Sequence, residues 1–100
     1  IMEGANLGMG STVSQFCIIG QYAILATGAV AMKNIKPFSR YIPGKEISVN
    51  EYAIKKFEFE DYRNEITEYV LKNAQPKSDI INEIVENFYK FHVESNKPLY

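Results

Sequence analysis

The sequence has one cysteine, Cys17, one histidine, His92, and no tryptophan. A lone cysteine cannot close an internal disulfide, and neither residue has partners at metal-ligand spacing, so we expect no metal site. No apolar run approaches the roughly 18 residues that span a bilayer, and no segment has the pattern of a signal peptide. We therefore expect no membrane span and a reducing, cytoplasmic setting. The sequence begins with Ile1 rather than Met, which is typical of an excerpt or a processed product.

Charge is scarce in the first third of the chain. Residues 1–32 carry one charged side chain, Glu3, and five of the six glycines. Residues 33–56 hold six bases against two acids, and residues 57–100 hold five bases against nine acids. The net charge of −1 excludes a strongly basic surface of the kind that binds nucleic acid. The abrupt change in composition predicts two architectures in one chain.

The glycine-rich third repeats every six residues. The first position of each hexapeptide is aliphatic: Ile1, Leu7, Val13, Ile19 and Leu25. The fifth position is small: Ala5, Ser11, Cys17, Ala23 and Ala29. A period of six fits neither a helix nor one alternating strand, but it suits a coil in which three hexapeptides close a triangle. The repeat predicts a left-handed parallel β-helix in which residues 18 apart stack, the small position packs inside, and glycines such as Gly8 and Gly20 fit the corners.

We expect three regions along the chain. Residues 1–36 are predicted to form the last coils of the β-helix, residues 37–47 an irregular connection, and residues 48–100 a C-terminal helical region. Ser48 and Glu51 have capping-box spacing, which predicts a helix over about 49–57. Further helices are expected over about 60–73 and, with Ser78 as N-cap, to about residue 94. Fewer than two coils cannot bury a solenoid core, so we expect contacts from further coils or from other chains.

Three segments of the sequence resemble one enzyme family. Val13-Ser14-Gln15-Phe16-Cys17-Ile18-Ile19-Gly20 resembles the V-H-Q-F-C-x-I-G coil of bacterial UDP-N-acetylglucosamine O-acyltransferases, which begin lipid A synthesis. Residues 30–38 resemble the exit from that family's β-helix. Val49-Asn50-Glu51 and residues 54–59 resemble its V-N-x-E-G-L-K-R-R-G-F segment. The likeness covers residues 1–70. Beyond them, the last predicted helix resembles the family only in being a helix.

The resemblance implies an activity and an assembly. Such enzymes are homotrimers in which a histidine base removes a proton from a sugar hydroxyl or amine, and the nucleophile attacks the thioester of an acyl carrier protein or of coenzyme A. No histidine stands in residues 1–91, so the base is expected upstream, and the 100 residues alone are expected to have no activity. His92, near a helix end, is expected to be a surface or capping residue.

The resemblance also assigns roles to individual residues. Ser14, Gln15, Asn50 and Lys56 are implied to contact the substrate or the donor. Ala26 and Thr27 stand where the family has two glycines that line the slot for the acyl chain.

A cluster of basic residues follows the predicted coils in the sequence. Lys33, Lys36 and Arg40 are candidates to meet the phosphates of the coenzyme or an anionic carrier protein, with a solvated surface paired to the acidic residues as the alternative.

Departures from the family pattern favour a relative with a different donor. Ser14 replaces a histidine, Lys56-Phe57 replaces an arginine pair, and the side chains of Ala26 and Thr27 narrow the acyl slot. We therefore expect transfer of an acetyl group from coenzyme A to a nucleotide sugar. Two alternatives remain: lipid A acyl transfer from acyl carrier protein, and a non-catalytic hexapeptide-repeat protein used for assembly.

Overall fold

A computed structural model describes all residues 1–100. The chain forms six short strands followed by three helices. The strands are β1 (Asn6–Leu7), β2 (Thr12–Val13), β3 (Ile24–Leu25), β4 (Val30–Ala31), β5 (Ser39–Tyr41) and β6 (Ser48–Val49). The helices are α1 (Glu51–Lys56), α2 (Arg63–Lys72) and α3 (Asp79–Ser95), with a 3₁₀ turn over Glu60–Tyr62 before α2. None of the helices has the length and apolar character needed to cross a membrane.

The strands form two sheets. The first has the order β1-β3-β5-β6, in which β1, β3 and β5 run parallel and β6 is antiparallel to β5. The second pairs β2 and β4 in parallel. Leu7 is in register with Leu25, and Thr12 with Val30, so the predicted pairing of residues 18 apart is confirmed.

The prediction of a left-handed β-helix is wrong, because the chain is a compact α/β fold and contains no solenoid. The repeating geometry ends early: Ile24 is in register with Arg40, an offset of 16 rather than 18, and the next strand, β6, is antiparallel. A solenoid needs at least three like layers stacked on one another, whereas here a mixed sheet and helices follow the first stacked pairs.

The predicted inward column of aliphatic residues is buried at one end only. Ile19 and Leu25 are buried, whereas Leu7 is 37% exposed and Ile1 is 69% exposed. Cys17 is buried and free, as expected of a packing residue. The buried members of this β core are Ile19, Ala23, Leu25, Ala29, Ala31 and Ile35.

A second core joins the helices to the sheet. Its members are Phe38, Ile54, Phe59, Ile66, Tyr69, Val70, Ile81, Ile84 and Val85. Phe38 brings the end of the β region into this core, where its ring packs 5.4 Å from Tyr22 and 5.3 Å from Phe59. The apolar stripes of α2 and α3 are therefore buried against the β region as well as against each other.

The helix ends differ from the predicted caps. Ser48 lies in β6, so the predicted capping box is wrong, and the N-cap of α1 is Asn50, whose side chain accepts from the Ala53 amide. Ser78 does stand at the N-cap of α3, but its hydroxyl donates to Glu65 at 2.8 Å rather than capping the helix itself.

Candidate functional site

Two of the residues expected to bind substrate line one hollow. Asn50 and Lys56 face a hollow of about 240 Å³, which we call the Asn50 hollow. Its other lining residues are Gly4, Ala5, Asn6, Tyr52, Ala53 and Phe57. The turn before β1 and one side of α1 therefore form its walls.

A second hollow of about 300 Å³ shares two residues with the first. Asn50 and Tyr52 line both, and Arg40 enters the second together with Ile24 and Val49. The structure thus places three predicted site residues, Arg40, Asn50 and Lys56, at two hollows along α1.

The Asn50 side chain holds the frame of these hollows together. It is buried, and its amide nitrogen donates to the Tyr22 carbonyl at 2.8 Å while its oxygen accepts from the Ala53 amide at 3.3 Å. Both functional atoms are committed to the protein, so Asn50 shapes the hollow and positions α1.

The charge in the two hollows is mainly positive. Arg40 and Lys56 are exposed, and neither makes an ion pair. Lys56 Nζ lies 5.5 Å from the centre of the Tyr52 ring. Glu51, in the second hollow, pairs instead with Arg63. Two free cations beside a tyrosine ring suit a phosphorylated ligand.

Lys36 faces the protein interior. It is 5% exposed, and its ammonium donates to the Val70 carbonyl at 2.8 Å, to Asn73 Oδ1 at 2.7 Å and to the Tyr69 carbonyl at 3.3 Å. Burial lowers the pKa of Lys36 below its ordinary value. The ammonium caps the C-terminal end of α2, where it donates to the Val70 carbonyl and shares the Tyr69 carbonyl with the Asn73 amide.

The three bases expected to form one cluster, Lys33, Lys36 and Arg40, therefore lie in different surroundings. Lys33 is exposed, with Nζ 5.6 Å from the centre of the Tyr100 ring, while Arg40 lies at the second hollow. A hollow of about 640 Å³ lies beside Lys36, but the ammonium of that lysine already has three acceptors.

The remaining predicted site residues lie on turns of the β region. Ser14 follows β2, and its amide donates to the Ala31 carbonyl at 2.7 Å; Gln15 is the exposed residue after it. Ala26 follows β3, and its amide donates to the Tyr41 carbonyl at 3.0 Å, beside the exposed Thr27.

Sequence reasoning missed a polar cluster around Asn34. This buried residue donates from Nδ2 to Ser95 Oγ at 2.8 Å and to His92 Nδ1 at 2.7 Å. His92 is half-buried and stacks on Phe88, so it is neither a surface nor a capping residue as expected. An isolated asparagine in an irregular segment carries no periodic signal that would reveal such contacts.

The structure gathers no group of three or more His, Cys, Asp or Glu side chains that would hold a metal ion. Comparison with protein-family models, with curated proteins and with solved structures finds no match.

Proposed function

We propose that the chain is the C-terminal part of a sugar acyltransferase that acts in the cytoplasm. The reaction moves an acyl group, preferentially acetyl, from a thioester donor to a hydroxyl or amine of a nucleotide sugar. A base removes the proton of the acceptor, the acceptor attacks the thioester carbonyl, and the thiol leaves. Coenzyme A is the proposed donor, and an acyl carrier protein is the alternative.

The observation that carries the proposal is the position of Lys56 and Arg40 at the hollows around Asn50. The likeness to the acyltransferase family assigns Asn50 and Lys56 to substrate binding on sequence grounds alone. Lys56 lines one of these hollows and Arg40 lines the other, and both hollows include Asn50 and the Tyr52 ring. Two cations without an ion pair suit the phosphates of a nucleotide diphosphate.

Contacts between the three similar segments support the same proposal. The Gly20 amide of the first segment (residues 13–20) donates to the Ile35 carbonyl of the second (residues 30–38) at 2.8 Å. The Phe38 carbonyl of the second segment accepts from the Asn50 amide of the third at 2.8 Å. Segments that resemble one family thus adjoin each other in the fold.

The catalytic base is not among the residues of the site. His92 is the chain's one histidine, and its Nδ1 is bonded to Asn34. We therefore propose that the base comes from outside these 100 residues, and that the working form is a homotrimer with sites between subunits, as in the family that the sequence resembles.

A binding titration tests the proposal. UDP-N-acetylglucosamine added to the ¹⁵N-labelled chain is expected to shift the amides of Asn6, Tyr52 and Lys56. Lys56→Ala and Arg40→Ala should each weaken binding by about tenfold, because a charge-assisted hydrogen bond contributes about 1.5 kcal/mol. Lys90→Ala, which removes an exposed lysine of α3, is the matched control. Absence of shifts, or equal binding by all variants, contradicts the proposal.

A second titration separates the donors. Acetyl coenzyme A and a C12–C14 acyl carrier protein thioester are each added to the chain with the sugar nucleotide bound. Binding of acetyl coenzyme A supports acetyl transfer, and preference for the long-chain carrier supports the lipid A reaction instead.

A non-catalytic assembly protein is the second candidate function. It is favoured by apolar side chains that the β region leaves exposed. These are Ile1, Leu7, Met9, Phe16, Val30 and Met32. If the chain assembles in sedimentation experiments but binds neither the sugar nucleotide nor a donor, this candidate replaces the enzyme.

A further inference from the structure

The last four residues, Lys97–Tyr100, which we call the tail, pair with the β region through one isolated bridge. The Asn34 amide donates to the Pro98 carbonyl at 2.8 Å, and the Tyr100 amide donates to the Asn34 carbonyl at 3.0 Å. These two bonds form a parallel bridge between Asn34 and Leu99. The tail is therefore held by backbone hydrogen bonds of the parallel β type, which extended peptides also use to bind a partner.

Tyr100 anchors the tail through its side chain. Its ring stacks on Tyr41 with the centroids 4.1 Å apart and the planes 23° apart. Its hydroxyl accepts from the Met32 amide at 2.8 Å, and Lys33 Nζ lies 5.6 Å from the ring centre. Tyr100 is the tail residue whose side chain both stacks on a ring and makes hydrogen bonds, so it is the main side-chain contact of the tail. We call Met32, Lys33, Asn34 and Tyr41 the tail site.

A short joint connects the tail to α3. Asn96 ends the helix in the left-handed conformation, with φ of 58°, and the Lys97 amide donates to Ser95 Oγ at 3.3 Å. Beyond this joint, the hydrogen bonds and ring contacts of Pro98 and Tyr100 are all with residues 30–41. Neither the two backbone bonds nor the ring contacts require the tail and the site to belong to the same molecule.

We propose that the tail site is an exchangeable interaction site that accepts the tail of a second copy of this chain. The occupant is identified by the structure itself, because the segment already seated there is Lys97–Tyr100. An exchanged tail would make the same backbone bonds and the same tyrosine stack, and only the joint at Asn96 must change direction, which is the usual route to domain swapping. This proposal is independent of the proposed acyltransferase function.

Complementation between two full-length variants tests the proposal. Tyr100→Ala removes the anchor but leaves the tail site intact, and Tyr41→Ala damages the site but leaves the tail intact. When unlabelled Tyr41→Ala is added to ¹⁵N-labelled Tyr100→Ala, the amides of Met32 and Asn34 are expected to shift. The control titrant carries both substitutions and should bind at least tenfold more weakly. Equal shifts with both titrants, or no shifts with either, would overturn the proposal.

A measurement on the otherwise native chain guards against a variant that fails to fold. A spin label attached at Lys97→Cys in unlabelled chains is mixed with ¹⁵N-labelled native chains. Exchange of tails predicts broadening of the Met32 and Asn34 amides of the labelled partner, which increases with concentration. If those amides keep their intensity at every concentration, while ¹⁵N-labelled chains that carry the spin label themselves lose theirs, the tail stays within its molecule and the proposal is wrong.

Discussion

The side-chain nitrogen of Asn34 lies 2.7 Å from Nδ1 of His92, although the two residues are 58 positions apart. The orientation of the amide is fixed on its other side, because Asn34 Oδ1 accepts from the Ile18 amide at 2.7 Å. Asn34 therefore donates, and the imidazole accepts at Nδ1 with its proton on Nε2. One buried side chain thus joins the β region to the end of α3.

Replacement of Asn34 by alanine is expected to lower the free energy of unfolding by about 2–4 kcal/mol. The change removes three hydrogen bonds of a buried side chain and leaves the Ile18 amide without its acceptor. The measurement is the midpoint and slope of urea unfolding. Asn64→Ala, on the exposed face of α2, is the matched control and should change stability by less than about 0.5 kcal/mol. If both variants lose the same free energy of unfolding, the hydrogen bonds of Asn34 do not stabilise the fold more than an exposed asparagine does.

A substitution at Gly20 tests how closely the chain around this residue packs against residues 36–37. A Cβ atom at this position would lie 2.5 Å from the Pro37 nitrogen and 2.8 Å from the Lys36 carbonyl carbon. Gly20→Ala should therefore destabilise the chain by about 3 kcal/mol, although alanine reduces the entropy of the unfolded chain and would stabilise a site with room for it.

Gly44→Ala supplies the comparison for Gly20. Gly44 has a φ of 82° and open space around it, so alanine there costs only the left-handed conformation, about 1–2 kcal/mol. Thermal unfolding of both variants checks the order of the two effects. A smaller loss at Gly20 than at Gly44 would mean that the two segments separate easily.

The sequence repeat predicts this local stacking but not the overall fold. Position in the hexapeptide explains why Leu7 pairs with Leu25 and why Gly8 and Gly20 have no room for a side chain. It does not reveal where the stacking stops, because the antiparallel turn into β6 follows an irregular stretch without periodicity. The likeness of five hexapeptides to a long solenoid was therefore misleading about the architecture.

Long-range contacts also explain the errors at single residues. Ser48 and Asn50 are both good N-cap residues, and the bond from Asn50 to the Tyr22 carbonyl favours the second. Lys36 belongs to a run of bases in the sequence, but the end of α2 surrounds its ammonium with acceptors. Neither contact follows from local spacing.

Lys36→Met is expected to lower the free energy of unfolding by about 1–3 kcal/mol at pH 7. Methionine fills similar space, but it removes the donor to the Val70 carbonyl at the end of α2. The matched control is Lys90→Met on the exposed face of α3.

The pH dependence of this loss follows from the lowered pKa of Lys36. Between the lowered value and the ordinary value of about 10.5, the unfolded chain binds more protons than the folded one. The contribution of Lys36 to the free energy of unfolding therefore rises with pH in this window. The gap between the native chain and Lys36→Met should widen from pH 7 toward pH 10 in urea titrations. If the difference in free energy of unfolding between the two chains stays constant with pH, folding does not lower the pKa of Lys36.

Tyr69→Phe is expected to leave stability at pH 7 unchanged or to raise it by about 1 kcal/mol. The Tyr69 hydroxyl is buried without a hydrogen-bond partner, and an unsatisfied buried hydroxyl costs about 1–3 kcal/mol. Burial also raises the pKa of Tyr69 above its ordinary value. The folded chain then keeps a proton that the unfolded chain loses above about pH 10, so the native chain should lose stability as the pH rises beyond that point.

The phenylalanine variant should lose less stability than the native chain between pH 10 and pH 11.5, because it lacks the titrating phenol. Tyr52→Phe changes an exposed tyrosine and should follow the native curve. Urea unfolding at a series of alkaline pH values compares the three chains. Parallel curves for native chain and Tyr69→Phe would mean that the phenol reaches water in the folded state, so that α2 does not seal the core around Tyr69.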